Sequence, residues 1–220
     1  MDTTSAALSR TLHVLATHHD MQNRLRSEII EAKRGCGGDL PYDELVSLPY
    51  LDAICREILR LYPPVSTLTR TTRKDVILPL SMPILGLNGL PISEVVVPAH
   101  TNVTVSILAA NRNPAVWGPD ALEFKPERWL APLPETVLQA HLPGIYSHMM
   151  TFSGGGRACI GFKFSQLEMK VVLSELISTF EFLPSKEKIC WNMNGITTPA
   201  VEESSMNGPQ MPIMISLVNA

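Results

Sequence analysis

A mainly α-helical fold with small β-sheets, an α+β arrangement, is predicted by three features of the 220-residue sequence. Apolar residues recur at helical spacing in four separate stretches. Between residues 65 and 108 that period gives way to short, loosely alternating runs typical of half-buried strands. Twelve of the 18 prolines lie between positions 63 and 143, which predicts a middle rich in turns and loops.

Taken in order, residues 2–18 read as a helix, with Leu8, Leu12 and Leu15 on one stripe. Asp2, Thr3, Thr4 and Ser5 suit its N-cap and first turn. A charged helix from Asp20 to Lys33 shows Met21, Leu25, Ile29 and Ile30 on one face, and Gly35, Gly37 and Gly38 end it. GCGGDLPYDEL reads as a turn. In LDAICREILRLYPPV, Leu51, Ile54, Ile58 and Leu61 form an apolar face that Pro63-Pro64 terminates. Glu57 and Arg60 stand three apart on that helix and are therefore neighbours; a surface ion pair is the plain reading. Thr67 to Leu78 reads as strand, and Leu78 to Pro91 as a proline-punctuated surface turn. Val95 to Pro98 and Thr101 to Leu108 read as a hairpin. SILAANRNP predicts a short helix, and residues 130–148 a loop. A long helix from Ile160 to Phe180 is expected to turn Phe164, Leu167, Val171 and Leu176 inward. The tail from Glu181 to Ala220 suits a pair of terminal hairpins, with Met193, Met206, Met211 and Met214 as core or loop filling.

Composition narrows the function classes. The chain is 45% apolar with a formal charge of −3, ordinary for a globular protein and unsuited to nucleic acid as a partner. Cys36, Cys55, Cys159 and Cys190 show no metal-finger spacing and no disulfide-rich density, so a reducing compartment is expected. No run approaches the ~20 apolar residues that span a bilayer, and the N-terminus is not a signal peptide.

The chemistry concentrates in Phe152 to Gly161, FSGGGRACIG. Three glycines let the backbone approach a bulky group. Arg157 supplies a fixed cation suited to carboxylates. The helix that follows would bring its positive dipole end to Cys159 and favour negative charge there. Together these describe a socket for a flat, anionic cofactor held by one sulfur, which haem with its two propionates fits. The plain alternative is a glycine-rich turn holding a buried, inert cysteine.

This run resembles the haem-binding loop of the cytochromes P-450, F-x-x-G-x-R-x-C-x-G, with Phe152, Gly155, Arg157, Cys159 and Gly161 on the pattern. Glu57-x-x-Arg60 followed by LYPPV is similar to the family's K-helix, and FKPERW to its P-E-R-F element, with Trp129 for Phe and the role unchanged. MDTTS is similar to the end of the motif that crosses the distal haem face.

The resemblance implies the C-terminal, haem-binding half of the cytochrome P-450 fold. Residues 1–18 end the central helix, 48–64 are the K-helix region, and 65–108 are strands. Residues 109–150 are the meander, 151–180 the haem loop and its helix, and 181–220 the terminal hairpins. It further implies haem b with iron on Cys159, and Arg157 and Arg70 as propionate anchors. Glu57, Arg60 and Arg128 would form a structural triad, and Asp2 and Thr3 an acid–alcohol pair for proton delivery. A substrate pocket would be edged by Val65, Ser66, Thr67, Leu68, Ile196 and Thr197. The family's turn Lys-Gly is Ala99-His100 here, so His100 must take the glycine's backbone conformation.

The implied activity is monooxygenation of a small organic substrate with electrons from NADPH through a cytochrome reductase. Sequence style is most similar to fungal microsomal members, which implies the cytosolic face of the endoplasmic reticulum membrane for the full-length family. Elements before the central helix, including the anchor and the distal lid helices, lie outside the chain. Alone it would be cytoplasmic or unstable, with exposed apolar surface. The alternative function is a truncated, inactive fragment that binds haem weakly or serves as an interaction module.

Overall fold

The computed structural model describes residues 2–202 and 208–218. They form the α+β fold expected, divided into two compact units: Met1–Ser66 with Ile107–Ala220, and Thr67–Ser106.

In the larger unit, α1 (Asp2–Thr17), α2 (His19–Cys36), α4 (Pro49–Leu61) and α8 (Phe162–Thr179) supply the core. Ala7 and Leu15 of α1, Leu25 and Ile29 of α2, Leu51 and Ile54 of α4, and Leu173 and Ile177 of α8 are all buried in it. Each fully buried Leu or Ile contributes about 1.5–3 kcal/mol relative to exposure. The α2 terminus is set by Gly37 at φ 74°, whose amide bonds Arg34 O while Gly38 N bonds Lys33 O. Pro49 opens α4 at the position where a missing N–H costs nothing.

Polar ties fix the helices. Gln22 Nε2 donates to Leu15 O and to Phe182 O, and its Oε1 accepts from Phe182 N, joining α2 to β5 (Phe180–Pro184). Lys170 of α8 reaches Asp52 of α4 at 2.7 Å. Thr4 Oγ1 donates to Ser165 Oγ at 3.2 Å, holding the first turn of α1 to the first turn of α8.

After α8 the chain makes two nested two-stranded sheets. The outer pairs β5 with β8 (Ile213–Leu217); the inner pairs β6 (Ile189–Asn192) with β7 (Thr198–Val201). Between α4 and α8 lie α5 (Ile107–Asn111), α6 (Pro114–Trp117), a 3-10 turn at Pro126–Trp129 and α7 (Glu135–Gln139).

The smaller unit is two antiparallel ribbons. β1 (Thr67–Thr71) pairs with β4 (Asn102–Ser106), and β2 (Val76–Leu85) pairs with β3 (Pro91–Val97).

Several local expectations are corrected. Val95–Pro98 and Thr101–Leu108 do not pair with each other; each strand takes its partner from the preceding stretch. Leu78 to Pro91 is mostly strand, because a two-stranded ribbon is all edge and tolerates Pro79 and Pro83; the register shifts between Pro79 and Ile84. GCGGDLPYDEL begins in the end of α2 and ends in the start of a short helix, α3 (Tyr42–Ser47), and the 130–148 loop contains α7. The inward face of α8 is Met169, Leu173 and Ile177. Phe164 is 60% exposed and Val171 is exposed, whereas Leu167 and Leu176 are partly buried against the core. A helix apolar on two sides does not reveal from its period which side is covered. Met214 is exposed on β8 rather than in the core, whereas Met193 is exposed in the loop after β6 and Met211 is partly buried; Met206 lies outside the described residues.

Candidate functional site

The site is built on a polar knot at the end of α4. Glu57 and Arg60, three apart on one helix face, are both 0% exposed and meet side-on: Arg60 Nε donates to Oε2 at 2.9 Å and Nη2 to Oε1 at 2.8 Å. Buried charges persist only when fully paired, and Arg60 uses every N–H it has. Its remaining donors go to the carbonyls of Asn111, Ala121 and Glu123. Its guanidinium also lies 5.0 Å from the Trp117 ring centroid, within cation–π range.

Arg128 completes the group with Nε 3.4 Å from Glu57 Oε1, while its terminal nitrogens bind Trp117 O and both the side chain and the carbonyl of Asp120. The surface-pair reading of Glu57 and Arg60 is thereby excluded by burial. Two further donors were not anticipated: Lys125 N at 3.1 Å to Oε1, and Trp129 Nε1 at 2.9 Å to Oε2. Trp129 therefore does what phenylalanine cannot, and the expectation that its role is unchanged is corrected.

The knot continues into the cysteine loop through Asn111. Its carbonyl accepts from Arg60, its Oδ1 accepts from Met150 N at 2.7 Å, and its Nδ2 donates to Thr151 Oγ1 at 2.8 Å. Thr151 Oγ1 in turn donates to Leu59 O on α4. A fully buried asparagine within an otherwise apolar helical run was the available signal.

The loop itself is pinned by close backbone approach. A Cβ on Gly154 would stand 1.8 Å from Pro143 O, and one on Gly144 would stand 1.8 Å from Met149 O. Gly155, by contrast, has open space but adopts φ 65°, which favours glycine. Phe152 is buried, with Tyr146 and Phe162 rings 5.6 and 6.0 Å away, and its carbonyl accepts from Cys159 N at 2.9 Å. Cys159 is exposed, so the buried, inert cysteine is excluded. Gly161 stands at the N-cap of α8, whose first bond is Ser165 N to Gly161 O. The amides of Phe162 to Phe164 thus have no intrahelical acceptor and face the loop end with partial positive charge.

The residues present fit a haem. The loop offers one exposed thiol, that of Cys159, and Arg157 is exposed with no hydrogen bond or ion pair among the described residues. Ile160, at 104% exposure, and Phe164, both within five positions of Cys159 in the chain, leave bare apolar surface of a kind a macrocycle would cover.

The other expected site residues are placed as follows. Asp2 and Thr3 are exposed on the first turn of α1. Val65 forms a β-bridge with Ile196, and Thr197 N donates to Pro64 O at 2.8 Å, so the segments at 64–66 and 196–197 meet. Ser66 is buried. Asp2 and Ile196 line one cavity of about 480 Å³ with Ser5, Ser9 and Met211. Thr67, Leu68 and Arg70 belong to β1 of the smaller unit, where Arg70 is exposed and its Nη1 donates to Thr69 O. His100 adopts φ 60°. No group of three or more His, Cys, Asp or Glu among the described residues is arranged to hold a metal ion.

A single thiol on a glycine loop, braced by a buried glutamate–arginine knot, is the arrangement of the cytochromes P450. The family's sequence model, Cytochrome P450, matches residues 1–203, and the chain belongs to that family. Among curated proteins it is 60% identical to Cytochrome P450 monooxygenase 91 of Postia placenta, over 99% of this chain and 40% of the relative. It is 51% identical to Cytochrome P450 monooxygenase 212 of the same fungus, over 98% of this chain and 39% of the relative. It is 50% identical to a ganoderic acid synthetase of Ganoderma lucidum, over 98% of this chain and 40% of that protein. The chain spans about 40% of the length of the curated relatives it matches. No helix among the described residues is long and apolar enough to cross a membrane.

Proposed function

We propose that this chain is the haem-binding portion of a haem-thiolate monooxygenase. The observation that carries the reading is the exposed Cys159 thiol at the end of a loop locked to Glu57 and Arg60 through Asn111. Bound haem supplies the oxygen-activating iron for inserting one atom of dioxygen into an organic substrate, with NADPH-derived electrons arriving through a reductase.

The chain's own residues do the rest. Cys159 provides the one sulfur ligand, and the orphan amides opening α8 stabilise its negative charge. Arg157 pairs with a propionate, and Arg70 is the second propionate partner in this reading. Ile160 and Phe164 cover the apolar surface of the group. Asp2 and Thr3 are, in this reading, the acid–alcohol pair that relays the protons oxygen chemistry consumes. Within the larger unit, Val65, Ser66, Ile196 and Thr197 edge the substrate pocket in this reading, a role supported by the bridge between Val65 and Ile196 and by the cavity shared by Ile196 and Asp2. The fungal relatives, named as monooxygenases, support this activity class.

The test is the spectrum of the reduced, carbon-monoxide-treated protein after incubation with haemin. The wild type and Cys36→Ser, which removes the other exposed thiol, are expected to share a thiolate signature that Cys159→Ser lacks. A Cys159→Ser spectrum identical to wild type would refute the ligand assignment. A thiolate spectrum without turnover, when reductase and NADPH are added, would mark the chain as a haem-binding fragment only.

A further inference from the structure

A second cavity, of about 250 Å³, is walled by Arg10 of α1, Tyr62 at the end of α4, Arg112, and Trp191, Met193 and Thr197 around β6. None of these belongs to the cysteine loop. The Arg10 guanidinium carbon stands 3.8 Å from the Tyr62 ring centroid and 4.5 Å from that of Trp191. Arg112 lies 5.3 Å from the same tyrosine ring. The Trp191 indole is held in place by His13, to whose Nδ1 it donates at 3.2 Å with the rings stacked. Burial, with the Arg10 charge adding to it, keeps the pKa of His13 below its ordinary value, which preserves that acceptor.

Two cations share this aromatic box, and no carboxylate pairs with either among the described residues. Arg112 is tied by Nε and Nη2 to Leu61 O, which leaves its Nη1 donors uncommitted. Arg10 Nε is buried with no acceptor at all. Burial lowers the pKa of both guanidinium groups against an opposing effect of the Tyr62 phenol, which for Arg10 includes a side-chain hydrogen bond, and the charge of Arg10 further lowers that of Arg112. The π faces offset part of this cost, but they do not accept the in-plane N–H bonds.

We propose that this cavity binds a small organic monocarboxylate whose carboxylate bridges Arg10 and Arg112 and whose apolar body lies against Trp191 and Met193. A planar carboxylate matches the guanidinium fork. The apolar remainder of the wall selects against a bare inorganic anion, which would leave it unfilled. The inference does not depend on the Cys159 assignment.

The probe is benzoate, titrated into the full chain by calorimetry and by tryptophan fluorescence. Benzamide serves as the neutral isostere and inorganic phosphate as the anion without an apolar body. Benzoate is expected to saturate one site, with benzamide and phosphate each weaker by about tenfold or more, the equivalent of one charge-assisted hydrogen bond. Arg10→Gln is expected to weaken benzoate by a similar factor while keeping the wild-type circular dichroism and thermal midpoint, because it removes a cation that has no counter-ion. Trp191→Phe should abolish most of the fluorescence response and retain a calorimetric signal. Absence of saturable benzoate binding, equal affinity for benzoate and benzamide, or an unchanged affinity in folded Arg10→Gln would overturn the proposal.

Discussion

Replacing Trp129 by phenylalanine isolates one bond in the buried knot. Among the described residues Glu57 Oε2 accepts from two donors, Arg60 Nε and the Trp129 indole, so the substitution halves the solvation of an oxygen that water does not reach. A hydrogen bond to a charged group contributes about 1.5–3 kcal/mol. The ring lost from the Trp117 contact, now 5.6 Å between centroids, adds less than about 1 kcal/mol. Trp129→Phe should therefore destabilise the chain by about 2–4 kcal/mol. Urea unfolding followed by circular dichroism measures this, provided the slope is unchanged between variants. Arg24→Gln is the comparison: it breaks an ion pair of 2.6 Å to Glu127, shorter than any contact Glu57 makes but half exposed, and should cost under about 1 kcal/mol. A Trp129→Phe protein within about 0.5 kcal/mol of wild type, or no more affected than Arg24→Gln, would show that the indole bond is not part of the support of the knot.

Other substitutions probe the remaining geometry. Gly154→Ala should cost about 3 kcal/mol through overlap with Pro143 O and abolish haem uptake, whereas Gly156→Ala, with nothing within 4 Å, should retain both; the pair is read by thermal melting and haemin titration. Asp120 has its carboxyl pKa held below the ordinary 3.8 first by its bond to Lys125 and further by Arg128, against a smaller opposing effect of burial. Because the folded pKa is depressed, the stabilisation is complete above the unfolded value and is lost as pH falls from there through the folded pKa; stability curves should show Asp120→Asn flattening the acid limb at and below the ordinary carboxylate range. Cys55 is buried and its thiol pushed up to about 12 by desolvation, so iodoacetamide should label Cys36 and Cys159 rapidly and Cys55 only in denaturant, as peptide mass spectrometry would report.

What the sequence disclosed depended on how local the physics was. The apolar stripes of α2 and α4 have one covered face, and period alone located Leu25, Ile29, Leu51 and Ile54. The loop pattern singled out Gly155, whose requirement is a single backbone angle. It passed over Gly154 and Gly144, whose requirement is a carbonyl supplied by a distant part of the loop. Asn111 and Trp129 were hidden for the same reason, since their partners are 39 to 72 positions away in the chain. Strand pairing failed in the 67–106 stretch because alternation identifies strands without naming their partners. On α8, Phe164 and Val171 carry the same apolar signal as the buried positions, and only the packed fold separates them.

The closure of the smaller unit bears on how such a chain can change over time. Thr67 and Ser106 are register partners, and immediately outside them Leu108 N bonds Ser66 O. The polypeptide thus leaves and re-enters the larger unit through one doorway a single strand spacing, roughly 5 Å, across. Whatever is strung between those two positions imposes almost no end-to-end constraint on the rest. Lengthening, shortening or recombining the 76–97 ribbon is accordingly tolerable to the thiol loop and its glutamate–arginine brace. Variation there can be sampled as a cassette while the cysteine-loop framework is left alone.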